Sequence, residues 1–317
     1  MLKVGIVGLG GISKVHISGW QNIDGAEIVA VCDIREEKFE GKEFARCYKS
    51  YDEMLEKETF DIIDVCVPTY LHIEYSLKAL NKGINVICEK PLTLNEKEVK
   101  KVYAAAEKNN VKFMVAQVTR FMAPYAYIKK AVESNKYGKI LSGTMSRIGC
   151  CPTWSFENWM MDESKSGMIP YDLHIHDLDF IVYTFGAPKK ATARRHKSDV
   201  ADYLNVIYDF DGFFINVEGA WYNAPKFPFG FTFIFEFEKA TLAYKGGKFC
   251  VYDSQGGITD ITPGKADANT GDIGLPSTNG YEEELRYFFN CVKDNKPADI
   301  IKPKELEAVL KTVETIK

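Results

Sequence analysis

Apolar, strand-like segments alternate regularly with helical segments through the first 120 residues of the chain. Strands are predicted at residues 2–7, 26–32, 62–67, 84–88 and 111–116, and helices at residues 12–17, 35–46, 50–58, 70–82 and 95–109. Repeated strand–helix–strand crossovers produce a parallel sheet with helices on both faces. Residues 1–119 are therefore predicted to form a doubly wound, Rossmann-type domain, whose ligands would bind beyond the carboxyl ends of the strands.

From about residue 139 the pattern changes to a period of two. Every second residue from Phe227 to Phe237 is phenylalanine, which is typical of a strand with one strongly apolar face. Further strands are predicted at residues 191–196, 203–210, 213–221, 240–245 and 249–252, and a loop at residues 256–279. Residues 120–317 are therefore predicted to form an α+β domain with an open, mostly antiparallel sheet.

Charge and composition narrow the function classes. The 317-residue chain has a net charge of -4 with both signs interspersed, which argues against nucleic acid or an anionic membrane as partner. Its first predicted strand begins at residue 2 and no apolar run approaches the length of a membrane span, so we expect neither a signal peptide nor a transmembrane segment. The eight cysteines lack C-x-x-C spacing. A cytoplasmic location, in a reducing compartment, is the expectation.

A glycine-rich turn follows the first strand. Gly8 allows a tight turn, Gly10 lets the backbone approach a pyrophosphate, and the next helix offers unpaired N–H groups to that anion. The second strand ends at Asp33, where a carboxylate would bind an adenosine ribose and repel a 2′-phosphate. This pattern predicts NAD as cofactor, while nearby Arg35 keeps NADP open as the alternative. A simpler interpretation is that Asp33 caps the helix after it.

Four residues of interest fall at the carboxyl ends of the other strands: Pro68, Thr69, Lys90 and Gln117. Lys90 stands between Glu89 and Pro91 after an apolar run. A lysine fixed by a proline beside a dinucleotide site indicates hydride chemistry on an alcohol. The alternative is a solvated lysine after a strand.

A polar stripe is predicted between the two domains. If residues 172–183 are helical, Asp172, His176, Asp179 and Tyr183 lie on one face. Asp172 could then hold one nitrogen of the His176 ring and leave the other as a general base. An interior His–Asp pair without a catalytic role fits the same spacing equally well.

The same segment also offers possible metal ligands, because His174 and His176 stand beside Asp172 and Asp177. On a helix, residues two apart point to different faces, so a shared ion would require extended backbone. The sequence therefore predicts no metal site.

These motifs together resemble the glucose–fructose oxidoreductase and inositol dehydrogenase family, Gfo/Idh/MocA. The resemblance spans nearly the whole chain and rests on four segments: Gly8-Leu9-Gly10-Gly11-Ile12, Pro68-Thr69-Tyr70-Leu71-His72, Glu89-Lys90-Pro91 and Asp172-x-x-x-His176-x-x-Asp179. The chain departs from many members at His174, where they have glycine. That departure leaves open whether His174 contacts substrate or only packs.

The resemblance implies an NAD(P)-dependent oxidoreductase that transfers hydride between nicotinamide and a hydroxyl or keto carbon of a sugar, cyclitol or related polyol. It implies catalytic roles for Lys90, which would hydrogen-bond the reacting hydroxyl, for His176, which would take its proton, and for Asp172, which would orient both. The Lys90–Pro91 bond is often cis in the family. The implied cofactor contacts are Gly8, Gly10, Gly11, Ile12, Asp33, Pro68, Thr69, His72, Glu89 and Gln117. The expected substrate contacts are Arg120, Trp154, Asn158 and Asp179.

Two other functions fit the same motifs: NAD-dependent glycoside cleavage through transient oxidation, and a non-catalytic regulator that senses the cofactor. For assembly we expect a homodimer or homotetramer packed sheet to sheet, because the phenylalanine-rich strand would otherwise expose a large apolar patch.

Overall fold

The computed structural model describes residues 1–263 and 280–317. These residues form two compact units. The first unit comprises residues 1–118 and 280–307, and the second comprises residues 119–263 and 308–317. The chain therefore passes from the first unit to the second after residue 118, and residues 280–307 return to the first unit.

The first unit is built on a six-stranded parallel sheet. Its strands are β1 (Leu2–Val7), β2 (Ala26–Cys32), β3 (Arg46–Tyr48), β4 (Ile62–Val65), β5 (Asn85–Glu89) and β6 (Phe113–Ala116), in the order β3-β2-β1-β4-β5-β6. Its helices are α1 (Gly11–Gln21), α2 (Tyr51–Lys57), α3 (His72–Leu80), α4 (Lys97–Lys108) and α9 (Gly280–Lys293). The predicted doubly wound fold is confirmed, and the strand order reverses between β1 and β4.

Helix α9 joins the first unit through a close approach to α1. A Cβ added at Gly19 of α1 would lie 2.7 Å from Leu285 Cδ1, so the absence of a side chain there lets the two helices meet. Leu285 and Phe288 are fully buried. The chain thus returns to the first unit through α9.

The predicted helix at residues 35–46 is wrong. The structure has a short 3₁₀ helix, Glu36–Phe39, followed by the edge strand β3. None of the residues Glu36–Phe39 is buried, so the segment has no apolar face to pack as a longer helix. Strand pairing with β2 determines the structure after residue 45 instead.

The second unit contains an eight-stranded sheet. Its strands are β7 (Ile140–Cys150), β8 (Lys190–Lys197), β9 (Asp202–Asp209), β10 (Phe214–Tyr222), β11 (Gly230–Phe237), β12 (Ala240–Lys245), β13 (Lys248–Asp253) and β14 (Ile258–Asp260). The order is β14-β13-β12-β11-β7-β10-β9-β8, with only the β7–β10 pair parallel. The mostly antiparallel sheet is confirmed. The predicted loop at residues 256–279 contains β14, and its residues 264–279 lie outside the described residues.

The helices of the second unit are α5 (Ala123–Glu133), α6 (Glu163–Ser166), α7 (Met168–Asp172), α8 (His174–Phe185) and the end of α10 (Pro303–Ile316). Two 3₁₀ segments, Val118–Phe121 and Phe156–Met161, connect them to the strands, and a third, Thr69–Leu71, precedes α3 in the first unit. In the described part of the chain, no helix combines the length and apolarity that a membrane span requires.

The phenylalanine-rich strand packs against helices of its own chain. Phe231, Phe233, Phe235 and Phe237 are buried. Phe233 lies 5.1 Å, between ring centroids, from Tyr125 of α5, and Phe235 contacts Phe180 of α8. The reason given for a sheet-to-sheet oligomer is therefore wrong, because this apolar face is already covered.

Candidate functional site

The glycine turn after β1 has the backbone geometry that a phosphate site requires. Gly8 has a φ of +91°, and a Cβ there would lie 2.6 Å from the backbone of Cys66. Both the backbone conformation and the lack of space therefore exclude a side chain at this position. A Cβ at Gly10 would meet nothing within 4 Å. Helix α1 begins at Gly11, followed by Ile12, and its first N–H groups lack acceptors within the helix. An anion can approach this backbone closely.

Asp33, immediately after β2, is tied to both the glycine turn and Arg35. Its Oδ2 accepts a hydrogen bond from the Leu9 N–H at 2.8 Å. The Arg35 guanidinium donates to both carboxylate oxygens, at 3.0 and 3.1 Å. Burial opposes ionisation of Asp33, yet the hydrogen bonds from Arg35 and Leu9 lower its pKa. Asp33 is thus an ionised carboxylate at the end of β2, with Arg35 beside it.

The Lys90 segment begins at the carboxyl end of β5. Lys90 is half-buried, and the Lys90–Pro91 peptide bond is cis, as the resemblance implied. The side chain of Glu89 accepts a hydrogen bond from the Lys90 N–H at 3.0 Å. Because β1 and β5 are parallel strands of one sheet, Lys90 and the glycine turn lie at the same edge of that sheet.

Three further predicted cofactor contacts, Pro68, Thr69 and His72, lie in the segment after β4. The ring nitrogens of the buried His72 contact the carbonyl oxygens of Pro91, at 2.7 Å, and Val67, at 2.8 Å. His72 therefore connects the segment after β4 to the segment after Lys90. Thr69 is also buried, at the start of the 3₁₀ helix.

Gln117, after β6, is 1% exposed. Its Oε1 has no hydrogen-bond partner among the described residues. A buried amide oxygen without a partner is unfavourable unless a ligand or water donates to it. Together with the open space at Gly10, this unsatisfied atom fits a bound dinucleotide.

Asp172 and His176 lie on two successive helices and not on one continuous helix. Helix α7 ends at Asp172 and α8 begins at His174, with Leu173 between them at φ -90° and ψ -50°. The i, i+4 spacing therefore does not by itself place the two side chains together. Asp172 is half-buried and His176 is buried.

Asp179 of α8 pairs with Arg120. Arg120 Nε donates to Asp179 Oδ2 at 2.8 Å and Nη2 donates to Oδ1 at 2.7 Å. Both side chains are 0% exposed, and the Arg120 Cζ lies 4.3 Å from the Tyr183 ring centroid. These two predicted substrate contacts thus form a bidentate ion pair with each other.

His174, whose role the sequence left open, is fully buried beneath the sheet. Its Nε2 lies 2.6 Å from the Tyr208 hydroxyl. Burial, together with the positive charge of Arg147, lowers the pKa of His174 to about 3, so the ring is neutral at physiological pH. The structure therefore gives His174 a packing role inside the second unit.

The predicted substrate contacts Trp154 and Asn158 lie between β7 and α6. Trp154 is 61% exposed, so ordinary core packing does not explain it. Asn158 and its neighbour Glu157 have φ values of 54° and 50°, a conformation that non-glycine residues rarely adopt. The segment therefore presents an aromatic ring and an amide at the surface of the described structure.

Sequence reasoning missed two buried polar clusters. In the second unit, Arg147 of β7 donates to both oxygens of Asp177, at 2.8 and 3.0 Å, and to the Tyr125 hydroxyl. An arginine at an inward-facing position of β7, between Met145 and Gly149, was the available signal. The other cluster surrounds His16 in the first unit, where Asp64 within an otherwise apolar strand was the signal.

Two segments of the chain match sequence models of known protein families. Residues 2–117 match the sequence model described as "Oxidoreductase family, NAD-binding Rossmann fold", and residues 125–243 match the "GFO/IDH/MocA C-terminal domain".

Individual relatives agree. The chain is 31% identical over 191 residues to myo-inositol 2-dehydrogenase of Thermotoga maritima, covering 58% of this chain and 55% of the relative. It is 29% identical over 188 residues to D-apiose dehydrogenase of Paraburkholderia graminis, covering 58% and 50%. The chain thus spans about half the length of the curated relatives it matches. A structure of levoglucosan dehydrogenase with NADH and levoglucosan has a TM-score of 0.83 at 19% identity, covering 99% of this chain and 96% of that one, which shows a shared fold.

Proposed function

The chain belongs to the Gfo/Idh/MocA family of oxidoreductases, and we propose that it is an NAD(P)-dependent dehydrogenase of a sugar, cyclitol or related polyol. The observation that carries the proposal is the arrangement at one edge of the first sheet. The glycine turn, the ionised Asp33 and Lys90 all follow carboxyl ends of its parallel strands.

The residues that would hold the dinucleotide are the glycine turn, for the pyrophosphate, and Asp33, for the adenosine ribose. The unsatisfied Gln117 Oε1 would accept a hydrogen bond from the cofactor. Pro68, Thr69 and His72 would shape the wall of this site. When bound, the nicotinamide ring supplies the carbon that accepts or donates hydride.

Lys90, His176 and Asp172 are proposed as the catalytic residues. The Lys90 ammonium would hydrogen-bond the reacting hydroxyl and stabilise the developing alkoxide. His176 would accept the hydroxyl proton as general base, and Asp172 would orient the acid–base groups. Because Lys90 belongs to the first unit and His176 to the second, the assignment depends on their chemistry and on the family motifs.

A polyhydroxylated substrate suits the exposed groups of the second unit. Trp154 offers an aromatic face to a sugar ring, and Asn158 offers an amide to hydroxyl groups. The three similar proteins are named for inositol, apiose and levoglucosan, which belong to this chemical class.

The test is a panel of sugars, cyclitols and their keto forms, assayed with NAD(H) and NADP(H) by the absorbance of reduced nicotinamide. We expect turnover with at least one polyol. NAD binding without turnover across the panel would favour a cofactor-sensing regulator, and product release from a glycoside without net NADH would favour glycoside cleavage.

Substituting Asp33→Ser is expected to lower the preference for NAD over NADP, measured as the ratio of kcat/KM values. The substitution removes the charge that repels a 2′-phosphate and releases the Arg35 guanidinium to bind it. A change of about tenfold corresponds to about 1.4 kcal/mol, a modest electrostatic effect. In the double variant Asp33→Ser/Arg35→Ala the gain with NADP should disappear. An unchanged ratio would show that Asp33 does not select the cofactor.

We propose a cytoplasmic location, supported by eight free cysteines, several of them buried in the core.

We propose a homodimer or homotetramer, and the apolar side chains that support this assembly lie on the other face of the sheet from the β11 phenylalanines. Ile207, Phe214 and Ile234, on β9, β10 and β11, are exposed on the sheet face opposite the helices. Burial of these side chains against a second copy would remove apolar surface from water. We expect light scattering at micromolar concentration to report a dimer or tetramer, and Ile234→Lys to weaken it. A monomeric wild-type protein would exclude this assembly.

A further inference from the structure

The core of the first unit contains a continuous chain of polar contacts that ends at Lys90. His16 of α1 is fully buried, and its Nδ1 lies 2.8 Å from Asp64 Oδ2. Its Nε2 lies 3.0 Å from Glu89 Oε1. The other oxygen of Glu89 accepts the Lys90 N–H at 3.0 Å. The Asp64–His16–Glu89 contacts therefore reach the backbone of the proposed catalytic lysine.

A fourth residue, Glu284 of α9, lies beside this chain. It is 0% exposed, and neither of its carboxylate oxygens has a hydrogen-bond partner among the described residues. One carboxylate oxygen lies within 4.8 Å of the ligand atoms of His16 and Glu89. An unsatisfied, fully buried carboxyl group is costly, and the cost is far greater for its ionised form.

Burial and the neighbouring charged groups both affect the protonation of Glu284. Burial raises the pKa of Glu284 well above its usual range, and the negative charges of Glu89 and Asp64 raise it further against the opposing effect of His16. For His16, burial opposes protonation, but Asp64 and Cys66 hold its pKa well above its usual value. Tyr281, on the same helix as Glu284, has its ring centroid 6.3 Å from that of His16. At neutral pH the cluster thus contains an imidazolium at His16 and a carboxylic acid at Glu284.

We propose that Glu284 is a neutral carboxylic acid that completes a buried cluster with His16 and Glu89, and that this cluster positions Lys90. The claim that the cluster positions Lys90 for catalysis rests on the proposed function, because that function makes Lys90 a catalytic residue. His16, Glu89 and Glu284 are positioning residues, since they act on the reaction through the Lys90 backbone.

The physical role of the neutral acid is to limit the negative charge next to Glu89. Ionisation of Glu284 would place an unpaired negative charge beside the Glu89 side chain, in a part of the core where His16 and Glu284 are both 0% exposed. Repulsion would then push the Glu89 side chain from the position in which it accepts the Lys90 N–H. A protonated Glu284 avoids this repulsion, and its O–H places a hydrogen-bond donor beside the Glu89 side chain.

The protonation state is tested by stability as a function of pH. A carboxyl group whose pKa is raised by folding keeps its proton in the folded state and loses it in the unfolded state. Stability is therefore lost as pH rises above the unfolded value, about 4.3 for glutamate. Glu284→Gln mimics the neutral acid and removes this penalty.

We expect the folding equilibrium constant of Glu284→Gln, relative to wild type, to rise about tenfold per pH unit above pH 5, up to the folded-state pKa of Glu284. Urea unfolding at pH 5, 6 and 7 measures the ratio, in which the titration of His16 cancels because both proteins contain it. A constant ratio would overturn the proposal.

Two measurements on the wild-type protein keep this part testable if the variant does not fold. The infrared carbonyl band of a protonated carboxylic acid should be present at pH 7, and its absence would contradict a neutral Glu284. Metal analysis of the purified protein should find no stoichiometric cation. A bound divalent ion would overturn the proposal, since His16, Glu89 and Glu284 would then be its ligands.

The positioning role is tested without substrate, by the reactivity of the Lys90 amine. Reductive methylation followed by peptide mass spectrometry gives the Lys90 rate relative to exposed Lys108. His16→Gln breaks the link between Asp64 and Glu89 and should change the Lys90 rate several-fold. Tyr51→Phe is the matched control, because it removes a hydrogen bond of 3.2 Å from the buried Tyr51 to the Tyr75 carbonyl oxygen, which involves none of the Asp64–His16–Glu89 contacts, and should leave the rate within about twofold of wild type.

Equal rates in both variants would overturn the positioning role, even if the polyol panel shows turnover. If the Lys90 rate changes in His16→Gln but no polyol is turned over, the positioning stands and the proposed function fails. The two failures are thus distinguishable.

Discussion

Lys90→Ala and His176→Ala are each expected to lower kcat by about 10² or more, with little change in NAD affinity. The first substitution removes the cation that stabilises the developing alkoxide, and the second removes the general base. Steady-state kinetics on a substrate from the polyol panel, with NAD binding measured separately by calorimetry, checks both. Matched controls are Lys82→Ala and His196→Ala, which remove exposed side chains of the same types.

Asp172→Asn provides a finer test of the same assignment. Loss of the carboxylate should slow turnover and shift the pH profile of kcat, because a carboxylate sets the tautomer and basicity of a neighbouring imidazole. If His176→Ala keeps near-normal kcat at neutral pH, the proton leaves through another group. His174 is a poor substitute, since it is neutral, fully buried and bound to Tyr208. Lys90 itself would then be the remaining base.

Asp179→Ala is expected to lower the free energy of unfolding by about 3–5 kcal/mol, because it leaves a buried guanidinium without its bidentate carboxylate. Urea denaturation followed by circular dichroism measures the loss. The matched control is Asp211→Ala, which breaks the exposed ion pair with Lys189 and should cost less than about 1 kcal/mol.

The double variant Arg120→Met/Asp179→Leu should recover part of this loss, because two apolar side chains can replace a buried ion pair without leaving a charge behind. A loss below about 1 kcal/mol in Asp179→Ala would mean that the pair contributes little to the fold. If Asp179→Ala strongly raised the KM for the polyol, Arg120 and Asp179 would be substrate contacts, as the sequence predicted.

The fold was largely predictable because its main signals are local. The strand segments of the first unit are short apolar runs, and their alternation with helices determines a parallel sheet. The glycine turn was also readable, since Gly8 adopts a backbone conformation and a close contact that a side chain would prevent. The family assignment from these motifs is confirmed.

What the sequence did not predict depends on tertiary packing. The region before β3 contains charged residues with helical propensity, but none of the residues in its short 3₁₀ helix is buried. A longer helix there would have no apolar face to pack against the rest of the unit. The phenylalanines of β11 were visible as an apolar face, yet the sequence could not show that α5 and α8 already cover it. Hydrophobic periodicity identifies a buried face but not the element that buries it.

The buried polar contacts of the two units could not be predicted from the sequence either, because they also depend on tertiary packing. His16 and Glu284 are 268 positions apart in the chain, and they meet only because α9 packs on α1. Arg120 and Asp179 were both predicted as substrate contacts, but their bidentate pairing depends on the relative placement of a 3₁₀ segment and α8. Local spacing carries no information on such contacts.

Hydride transfer from a carbinol carbon is the central claim, and isotope transfer tests it most directly. A polyol from the panel, deuterated at the oxidised carbon, is incubated with the enzyme and NAD, and the reduced cofactor is analysed by mass spectrometry. We predict that the deuterium appears at C4 of the reduced nicotinamide. Reduced nicotinamide without deuterium, or NAD binding with no reduction by any polyol of the panel, would contradict the proposed function.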